Sequence, residues 1–243
     1  MSVSIKSESS PRSFAFSPTD SGILRKDVDM AKYKYIIWDW NGTLLDDLML
    51  NYEVVNTLLE RRGLPLLESV EYYHSIFSFP IIDFYTVMGF DFNKESFHDV
   101  AKEYTFMIDE RFPELTVFPD AENILWYFKH KGINQLIISQ LEHTTLQKQV
   151  RAHEIDYLFT EILGTGDIYA KSKVGVALNW LSRSGAKGEE ILFIGDTVHD
   201  FEVAESIGCE CVLISRGHNS FDMLKATGCT VLHSIDELKA LVD

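Results

Sequence analysis

Two groups of acidic and polar residues, far apart in the chain, each follow a short run of apolar residues. Residues 33–38 lead into Asp39-Trp40-Asn41-Gly42-Thr43, and residues 191–194 lead into Gly195-Asp196-Thr197-Val198-His199-Asp200. Aromatic and β-branched runs of this kind are typical of buried strands. Carboxylates at the carboxyl ends of parallel strands would meet at one edge of a sheet, where such sheets bind ligands. Their hard oxygen atoms suit Mg²⁺.

A serine and two lysines complete the set of polar candidates. Ser139 follows the apolar run 136–138, and Lys171 and Lys173 precede a predicted helix. In phosphoryl transfer, a carboxylate nucleophile forms an aspartyl-phosphate, and a metal ion, a lysine and a hydroxyl hold the phosphoryl oxygens. The residue types therefore fit phosphoryl transfer with Asp39 as the nucleophile.

The elements that must position these residues alternate between strand and helix after residue 30. Strands are predicted near 34–39, 135–139, 159–163, 191–194, 210–214 and 229–232. Helices are predicted near 48–62, 120–131, 143–152, 172–184, 199–207, 221–226 and 235–242. This alternation predicts an α/β fold with a doubly wound parallel sheet.

The stretch between the first two strands is helical, rich in aromatic residues and too long for one crossover. We therefore predict an α/β core of residues 31–46 and 116–243, with residues 47–115 inserted as a helical cap that excludes water from the site. Residues 1–30 are serine-rich and show no periodicity, which predicts a disordered N-terminal extension.

Bulk composition excludes several classes of protein. The formal net charge of −15 argues against binding to nucleic acid or to an anionic membrane surface. The three cysteines fit neither a disulfide framework nor a zinc site, and no apolar run approaches the ~18 residues of a membrane span. We expect a cytoplasmic enzyme with buried thiols that binds a small phosphorylated metabolite; the oligomeric state stays open.

The order of these residues resembles the motifs of the haloacid dehalogenase-like hydrolase superfamily. A strand-end Asp, a strand-end Ser, a Lys before a helix and a GDxxxD sequence follow one another over nearly everything after residue 30. The pattern is similar to that of phosphoglycolate-phosphatase-like enzymes with a helical cap. This resemblance implies a Rossmann-like core, Mg²⁺ as cofactor and hydrolysis of small phosphomonoesters through an aspartyl-phosphate.

The resemblance also implies a role for each motif residue. Asp39 would be the nucleophile and a metal ligand, and Asn41 would offer its backbone carbonyl to Mg²⁺. Asp196 would bind Mg²⁺ directly, and Asp200 would act through water or by orienting its neighbours.

Two further residues would hold the phosphoryl group. Ser139 would donate a hydrogen bond to it, and a lysine would balance its charge. We prefer Lys173 to Lys171 for this lysine, because it directly precedes the helical run 174–178.

Asn41 departs from the family's pattern. Phosphatases of this superfamily usually carry Asp at this position as the general acid, and a carboxamide cannot donate and recapture a proton near pH 7. Such help is typically worth ~10²–10⁴-fold, so we expect slow turnover, a preference for good leaving groups or a substitute acid. Replacing Asn41 by Asp should raise activity if the rest of the site is standard. The candidate substitute acids are His199, His143, Asp46, Asp47 and His74.

Alternatives to a phosphatase remain open. A phosphonate hydrolase of this superfamily needs a cap lysine, and the region from 46 to 118 offers only Lys94 and Lys102. A phosphotransferase with a long-lived aspartyl-phosphate would also tolerate Asn41, as would a weakly active binding protein. A carbon–halogen hydrolase needs no Mg²⁺, so the acidic pair Asp196 and Asp200 argues against it.

Other polar residues have simpler interpretations. The acidic runs 46–47 and 189–190 are interpreted as solvated faces or helix starts. Thr43 and Thr197 are interpreted as structural hydroxyls outside the site. Arg216 and His218 are placed in a loop at its rim.

Overall fold

A computed structural model of the chain describes residues 33–166 and 173–241. The segment predicted to be disordered, residues 1–30, and Lys171 lie outside the described residues. In chain order the strands are β1 (Tyr35–Trp38), β2 (Leu45–Asp46), β3 (Thr116–Val117), β4 (Asn134–Glu142), β5 (Glu161–Thr165), β6 (Ile191–Gly195), β7 (Glu210–Ile214) and β8 (Thr230–Leu232).

Helices occupy most of the remaining chain. They are α1 (Leu48–Arg61), α2 (Val70–Ile76), α3 (Ile81–Val87), α4 (Phe97–Arg111), α5 (Ala121–His130), α6 (His143–Ala152), α7 (Val174–Ser184), α8 (Val198–Ser206) and α9 (Phe221–Ala226). A final helix predicted at 235–242 is a 3₁₀ helix over Ile235–Leu241.

Six strands form one parallel sheet in the order β5-β4-β1-β6-β7-β8. Because β1 lies inside the sheet, both of its faces are buried: Ile36 and Trp38 pack on one side and Ile37 on the other. Helices α5 and α6 contribute to the first hydrophobic layer, and α7, α8 and α9 contribute to the second. This arrangement confirms the predicted doubly wound α/β fold.

Helices α1 to α4 lie between β2 and β3 and have a hydrophobic cluster of their own. Its members are Val55, Leu58, Leu59, Leu67, Tyr73, Phe77, Phe84, Tyr85, Met88, Phe90 and Val100. Helices that form a layer of their own need a hydrophobic cluster of their own to pack around. The division of the chain into core and cap stays a prediction.

The periodicity analysis missed the small sheet formed by β2 and β3. These two-residue strands pair antiparallel, Leu45 with Val117 and Asp46 with Thr116. They lie where the chain leaves the parallel sheet for α1 and where it returns from α4. Two residues are too few to show an alternating pattern, so the sequence gives no strand signal there.

All three cysteines lie among the described residues. Cys209, Cys211 and Cys229 are thiols rather than disulfides, and Cys211 is buried. Among the described residues, no helix combines the length and the apolar composition that crossing a membrane requires.

Candidate functional site

The strand register brings three of the predicted site residues to one edge of the sheet. Trp38 pairs with Ile137 of β4 on one side and with Ile194 of β6 on the other. Because these strands are parallel, Asp39, Ser139 and Asp196 follow at closely similar heights. The Asp39 N–H donates to the Ile194 carbonyl at 2.8 Å, which extends this pairing to the aspartate itself.

Three buried carboxylates meet at this edge. Asp39, Asp196 and Asp200 are 6%, 0% and 0% exposed, and each offers an oxygen within 4.8 Å of the others. Lys173 Nζ lies 2.5 Å from Asp39 Oδ1 and also contacts Asp200 Oδ1. The structure thus joins Lys173 to the acidic cluster.

The charges of this cluster do not balance. One lysine, Lys173, contacts two of the three carboxylates, Asp39 and Asp200. Burial raises the pKa of Asp39 and that of Asp196, the latter to about 6. Burial acts in the same direction on Asp200, but Lys173 outweighs it and holds the pKa of that carboxyl below its ordinary value. An oxygen-only, negatively charged donor set of this kind fits a hard divalent cation such as Mg²⁺.

Asp200 is fixed by the first turn of α8. Its Oδ2 accepts hydrogen bonds from Asp196 N, Thr197 N and Thr197 Oγ1, and Thr197 Oγ1 accepts in turn from Asp200 N. This capping box follows from Thr197 at the N-cap and Asp200 three residues later. Since Oδ2 is fully used, Oδ1 is the atom that faces Lys173.

Asp196 is held by two loops, of which the sequence analysis placed one outside the site and the other at its rim. Thr43 Oγ1 donates to Asp196 Oδ1 at 2.9 Å, and His218 N donates to Oδ2 at 2.7 Å. Both loops need glycine to come this close. A Cβ on Gly42, which has a φ of +71°, would lie 2.3 Å from Asp196 Oδ2, and one on Gly217 would lie 2.0 Å from it.

Asp47 is buried at the start of a helix, so of the two interpretations of the run 46–47 the helix start fits it and the solvated face does not. Asp47 is 2% exposed and is the N-cap residue of α1. Asn41 Nδ2 and Asn51 Nδ2 each donate to Asp47 Oδ2 at 2.7 Å, and Gly42 N donates to Oδ1 at 2.8 Å. His218 Nε2 lies 3.4 Å from Oδ1. Burial is outweighed by these neighbours, so the pKa of Asp47 is lowered.

His218 lies inside the site, so its placement at the rim was wrong. It is 5% exposed, its Nδ1 hydrogen-bonds Tyr73 Oη at 2.9 Å, and Phe77 stacks on its ring at 4.8 Å. Burial lowers the pKa of a histidine, but the Asp47 carboxylate outweighs this and raises the pKa of His218 to about 9. Through these contacts with His218, Tyr73 of α2 and its C-cap residue Phe77 pack against the edge of the sheet.

A cavity of about 170 Å³ opens between the sheet edge and helices α1 to α4. Its polar lining includes Asp39, Asn41, Asp47, Ser139 and Lys173. Ser139 lies within β4, because that strand continues to Glu142 after a register shift. Its Oγ accepts from Leu141 N at 3.2 Å.

Of the five candidates for a substitute acid, Asp47 is the one among the cavity-lining residues. Asp46 is exposed, His143 Nδ1 accepts from Gly164 N, and His199 Nδ1 pairs with Glu202. His74 is half-buried outside the described lining.

The helical segment offers no cavity lysine among its described residues. The side chain of Lys94 is 84% exposed and pairs with Asp91, and Lys102 is exposed. Neither is among the residues that line the cavity. This placement argues against a Schiff base formed by a lysine of the helical segment.

Sequence reasoning named Asp47 as a candidate acid without predicting its burial, placed His218 at the rim of the site and gave Tyr73 no role in it. For His218 a signal was present, since it follows β7, the neighbour of β6, at the same sheet edge. For Asp47 there was none beyond its position at a helix start, because its burial depends on partners from three separate segments.

Comparisons with known proteins agree with this geometry. Residues 36–214 match the family model of the haloacid dehalogenase-like hydrolases. A phosphoglycolate phosphatase from Aliivibrio fischeri is 22% identical over 218 residues, which cover 86% of this chain and 95% of the relative. One from Mannheimia succiniciproducens is 26% identical, covering 78% and 88%. The structure of a haloacid dehalogenase-like hydrolase from Streptococcus pneumoniae, 20% identical, superimposes with a TM-score of 0.74 over 86% of this chain and 98% of that one.

Proposed function

Because the chain belongs to the haloacid dehalogenase-like hydrolase family, we propose that it is a Mg²⁺-dependent phosphatase of small phosphomonoesters that works through an aspartyl-phosphate on Asp39. The observation that carries this proposal is the contact of Lys173 with Asp39 inside a cluster of three buried carboxylates at the end of a cavity. The phosphoglycolate phosphatases among its relatives support a phosphomonoester substrate.

Four residues would hold the metal ion: the carboxylates of Asp39, Asp196 and Asp200, and the backbone carbonyl of Asn41. Bound there, Mg²⁺ would neutralise charge on the phosphoryl oxygens. Asp200 acts partly by orientation, because one of its oxygens is committed to the first turn of α8.

The reaction proceeds in two displacements at phosphorus. A carboxylate oxygen of Asp39 attacks phosphorus, the ester P–O bond breaks, and the alcohol oxygen leaves with the electron pair. The oxygen of a water molecule then attacks phosphorus, and the P–O bond to Asp39 breaks with its electron pair, which restores the carboxylate. The two protons of that water leave on the released orthophosphate and exchange with solvent. Lys173 and Ser139 hold the phosphoryl oxygens throughout.

Asp47 positions Asn41 in this site rather than replacing the missing acid. Its lowered pKa means that it carries no proton to donate at neutral pH, and three N–H donors already occupy its oxygens. The first displacement therefore depends on a leaving group that needs little protonation.

Helices α1 to α4 would serve as the cover of the site. Two hydrogen bonds join the helical segment to the loop after β7. Tyr73 Oη bonds His218 Nδ1, and Asn219 Nδ2 donates to the Phe77 carbonyl at 2.9 Å. A cover held by such contacts would exclude bulk water, which strengthens the electrostatic interactions of Asp39 and Lys173 with the phosphoryl group.

Hydrolysis of para-nitrophenyl phosphate tests the proposal directly, because this leaving group bypasses the absent acid. We expect turnover with Mg²⁺, loss of turnover with excess chelator, and a loss of at least about 10³-fold in Asp39→Asn, since removing a nucleophile is among the costliest changes in an enzyme. Circular dichroism should show Asp39→Asn folded. Full activity in that variant would overturn the nucleophile assignment.

A further inference from the structure

The cavity beyond the acidic cluster has apolar walls on both sides. Leu115 and Leu141 line it from the segments beside the sheet, and Phe79, Ile81 and Ile108 line it from the helical segment. All five are partly exposed rather than fully buried. They therefore leave apolar surface open to whatever enters, which fully packed core residues do not.

The charges around the cavity disfavour a second anionic group on the substrate. Among the described residues that line it, Lys173 is the one lysine or arginine, and Asp39 and Asp200 already engage it. His218 also lines the cavity, but its Nε2 lies 3.4 Å from Asp47 Oδ1 and its Nδ1 hydrogen-bonds Tyr73 Oη, so its charge is already paired. The charged residues farther out in the lining, Asp109 and Glu142, are acidic. A substrate carboxylate would find no spare cation there and would face like charges.

The size of the cavity suits a single ring. An engineered apolar protein cavity of about 150 Å³ binds benzene. This cavity measures about 170 Å³ and also includes the space at Asp39, Ser139 and Lys173, so it leaves room for no more than one ring beside the phosphoryl group. The partly exposed ring of Phe79, which packs on Phe77 at 5.4 Å between ring centres, is available for aromatic contact with a substrate ring.

The leaving group points to the same class of substrate. Asn41 cannot protonate the departing oxygen. A phenol, with an ordinary pKa of about 10, leaves as its anion far more readily than an alkyl alcohol. We propose that this enzyme hydrolyses phosphomonoesters of phenols whose aromatic group carries no carboxylate, in preference to carboxylated alkyl phosphates such as phosphoglycolate; this rests on the proposed function.

The bonds follow the scheme given above. The Asp39 oxygen–phosphorus bond forms while the bond from phosphorus to the aryl oxygen breaks, and the phenolate departs with the electron pair. It takes its proton from solvent water after leaving, so no side chain has to supply one. The apolar walls stabilise the ring in the same position before and during this step.

Three substrates on the unaltered protein with Mg²⁺ test this inference: phenyl phosphate, 4-carboxyphenyl phosphate and phosphoglycolate. We expect kcat/KM to fall by at least about tenfold from phenyl to 4-carboxyphenyl phosphate, since a pocket discriminates by roughly 10–200-fold for small changes. Phosphoglycolate should be slower still. If either carboxylated substrate equals or exceeds phenyl phosphate, the substrate class is wrong and the phosphatase stands. If none of the three is hydrolysed, the proposed function itself is wrong.

A matched pair of variants on α4 locates the effect. Ile108 lines the cavity, whereas Phe106 on the same helix is 60% exposed and is not among the lining residues. Ile108→Lys should lower kcat/KM for phenyl phosphate by about tenfold and shrink the preference over 4-carboxyphenyl phosphate. Phe106→Lys should change neither. Equal effects of the two variants on kcat/KM would show that the apolar lining at Ile108 does not cause the preference for phenyl phosphate.

Discussion

Asn41 and Asp47 form a matched pair of donor and acceptor. The carboxamide of Asn41 donates to Asp47 Oδ2 at 2.7 Å, and neither side chain can keep this bond if the carboxamide alone becomes a carboxylate. Two carboxylates at that distance repel each other or must share a proton. The departure from the family's usual Asp at position 41 is thus tied to a second acidic residue six positions later.

The first prediction concerns this pair. The sequence alone predicts a gain from Asn41→Asp, whereas the hydrogen bond predicts that the single change gains nothing, because it sets two carboxylates against each other. The double variant Asn41→Asp with Asp47→Asn restores one donor and one acceptor. It should raise kcat/KM for an alkyl phosphate by up to about 10²–10⁴-fold, the usual worth of a general acid.

Asp47→Asn alone is the control for this comparison. It should not raise activity on the alkyl phosphate, because it supplies no acid at position 41. A gain from the single Asn41→Asp change as large as that from the double variant would show that Asp47 does not constrain position 41.

Arginine–glutamate pairs tie α1 and its C-cap residue to the rest of the helical segment. Arg62, the C-cap residue of α1, lies 2.8 Å from Glu95 and 2.9 Å from Glu103 of α4, and Arg61 contacts Glu103 at 2.5 Å. Burial alone would raise the pKa of Glu103, but hydrogen bonds from the two arginines outweigh it and lower that pKa. The network holds the first and last helices of the segment together.

The second prediction gives this network a pH dependence. A carboxylate whose pKa is lowered on folding stabilises the protein fully above its unfolded pKa, near 4.5, and loses that effect as the pH falls through the folded value. Glu103→Gln should therefore lower the free energy of unfolding at pH 7 by roughly 0.2–1 kcal/mol, a range suited to partly exposed pairs.

The measurement is chemical denaturation at pH 7 and at pH 3, where the difference between Glu103→Gln and the unaltered protein should shrink. Glu110 on the same helix is exposed, so Glu110→Gln serves as the matched control. A difference that stays constant between the two pH values would exclude the charge pairing as its source.

Periodic elements could be predicted from the sequence, and short or tertiary features could not. β1, α1 and β6 lie within one or two residues of their predicted positions, because burial of whole faces imposes a repeat that is visible in the sequence. β2 and β3 are too short for any repeat. Lys173 was preferred because it directly precedes a helical run, a feature visible in the sequence, whereas the burial of Asp47 and His218 arises from contacts between segments distant in the chain.

At the scale of the whole molecule, a chain with a net charge of −15 concentrates buried acidic groups at one edge of its sheet. Burial has already raised the pKa of Asp39 and of Asp196, so these carboxylates destabilise the folded protein unless a cation balances them. A metal ion that binds only the folded state would raise the free energy of unfolding and offset this destabilisation.

The third prediction is that Mg²⁺ raises the melting temperature. At a concentration one hundred times its Kd, a ligand stabilises by about 2.7 kcal/mol, which corresponds to about 5–10 °C for a chain of this size. Differential scanning fluorimetry with Mg²⁺ and with chelator measures the shift. Asp196→Asn should abolish most of it, and an undiminished shift in that variant would place the stabilising ion elsewhere.

The small ribbon of β2 and β3 makes the exit from the core and the return to it neighbours. Leu45 pairs with Val117, so the segment that carries α1 to α4 begins and ends at adjacent positions. Such a segment can be lengthened, exchanged or lost during evolution without any change in the strand order of the parallel sheet. A tight turn between β2 and β3 would be enough to connect them as a hairpin. Asp47 follows that junction immediately, so a core stripped of its helices would remain closed but would lose the residue that holds Asn41 in place.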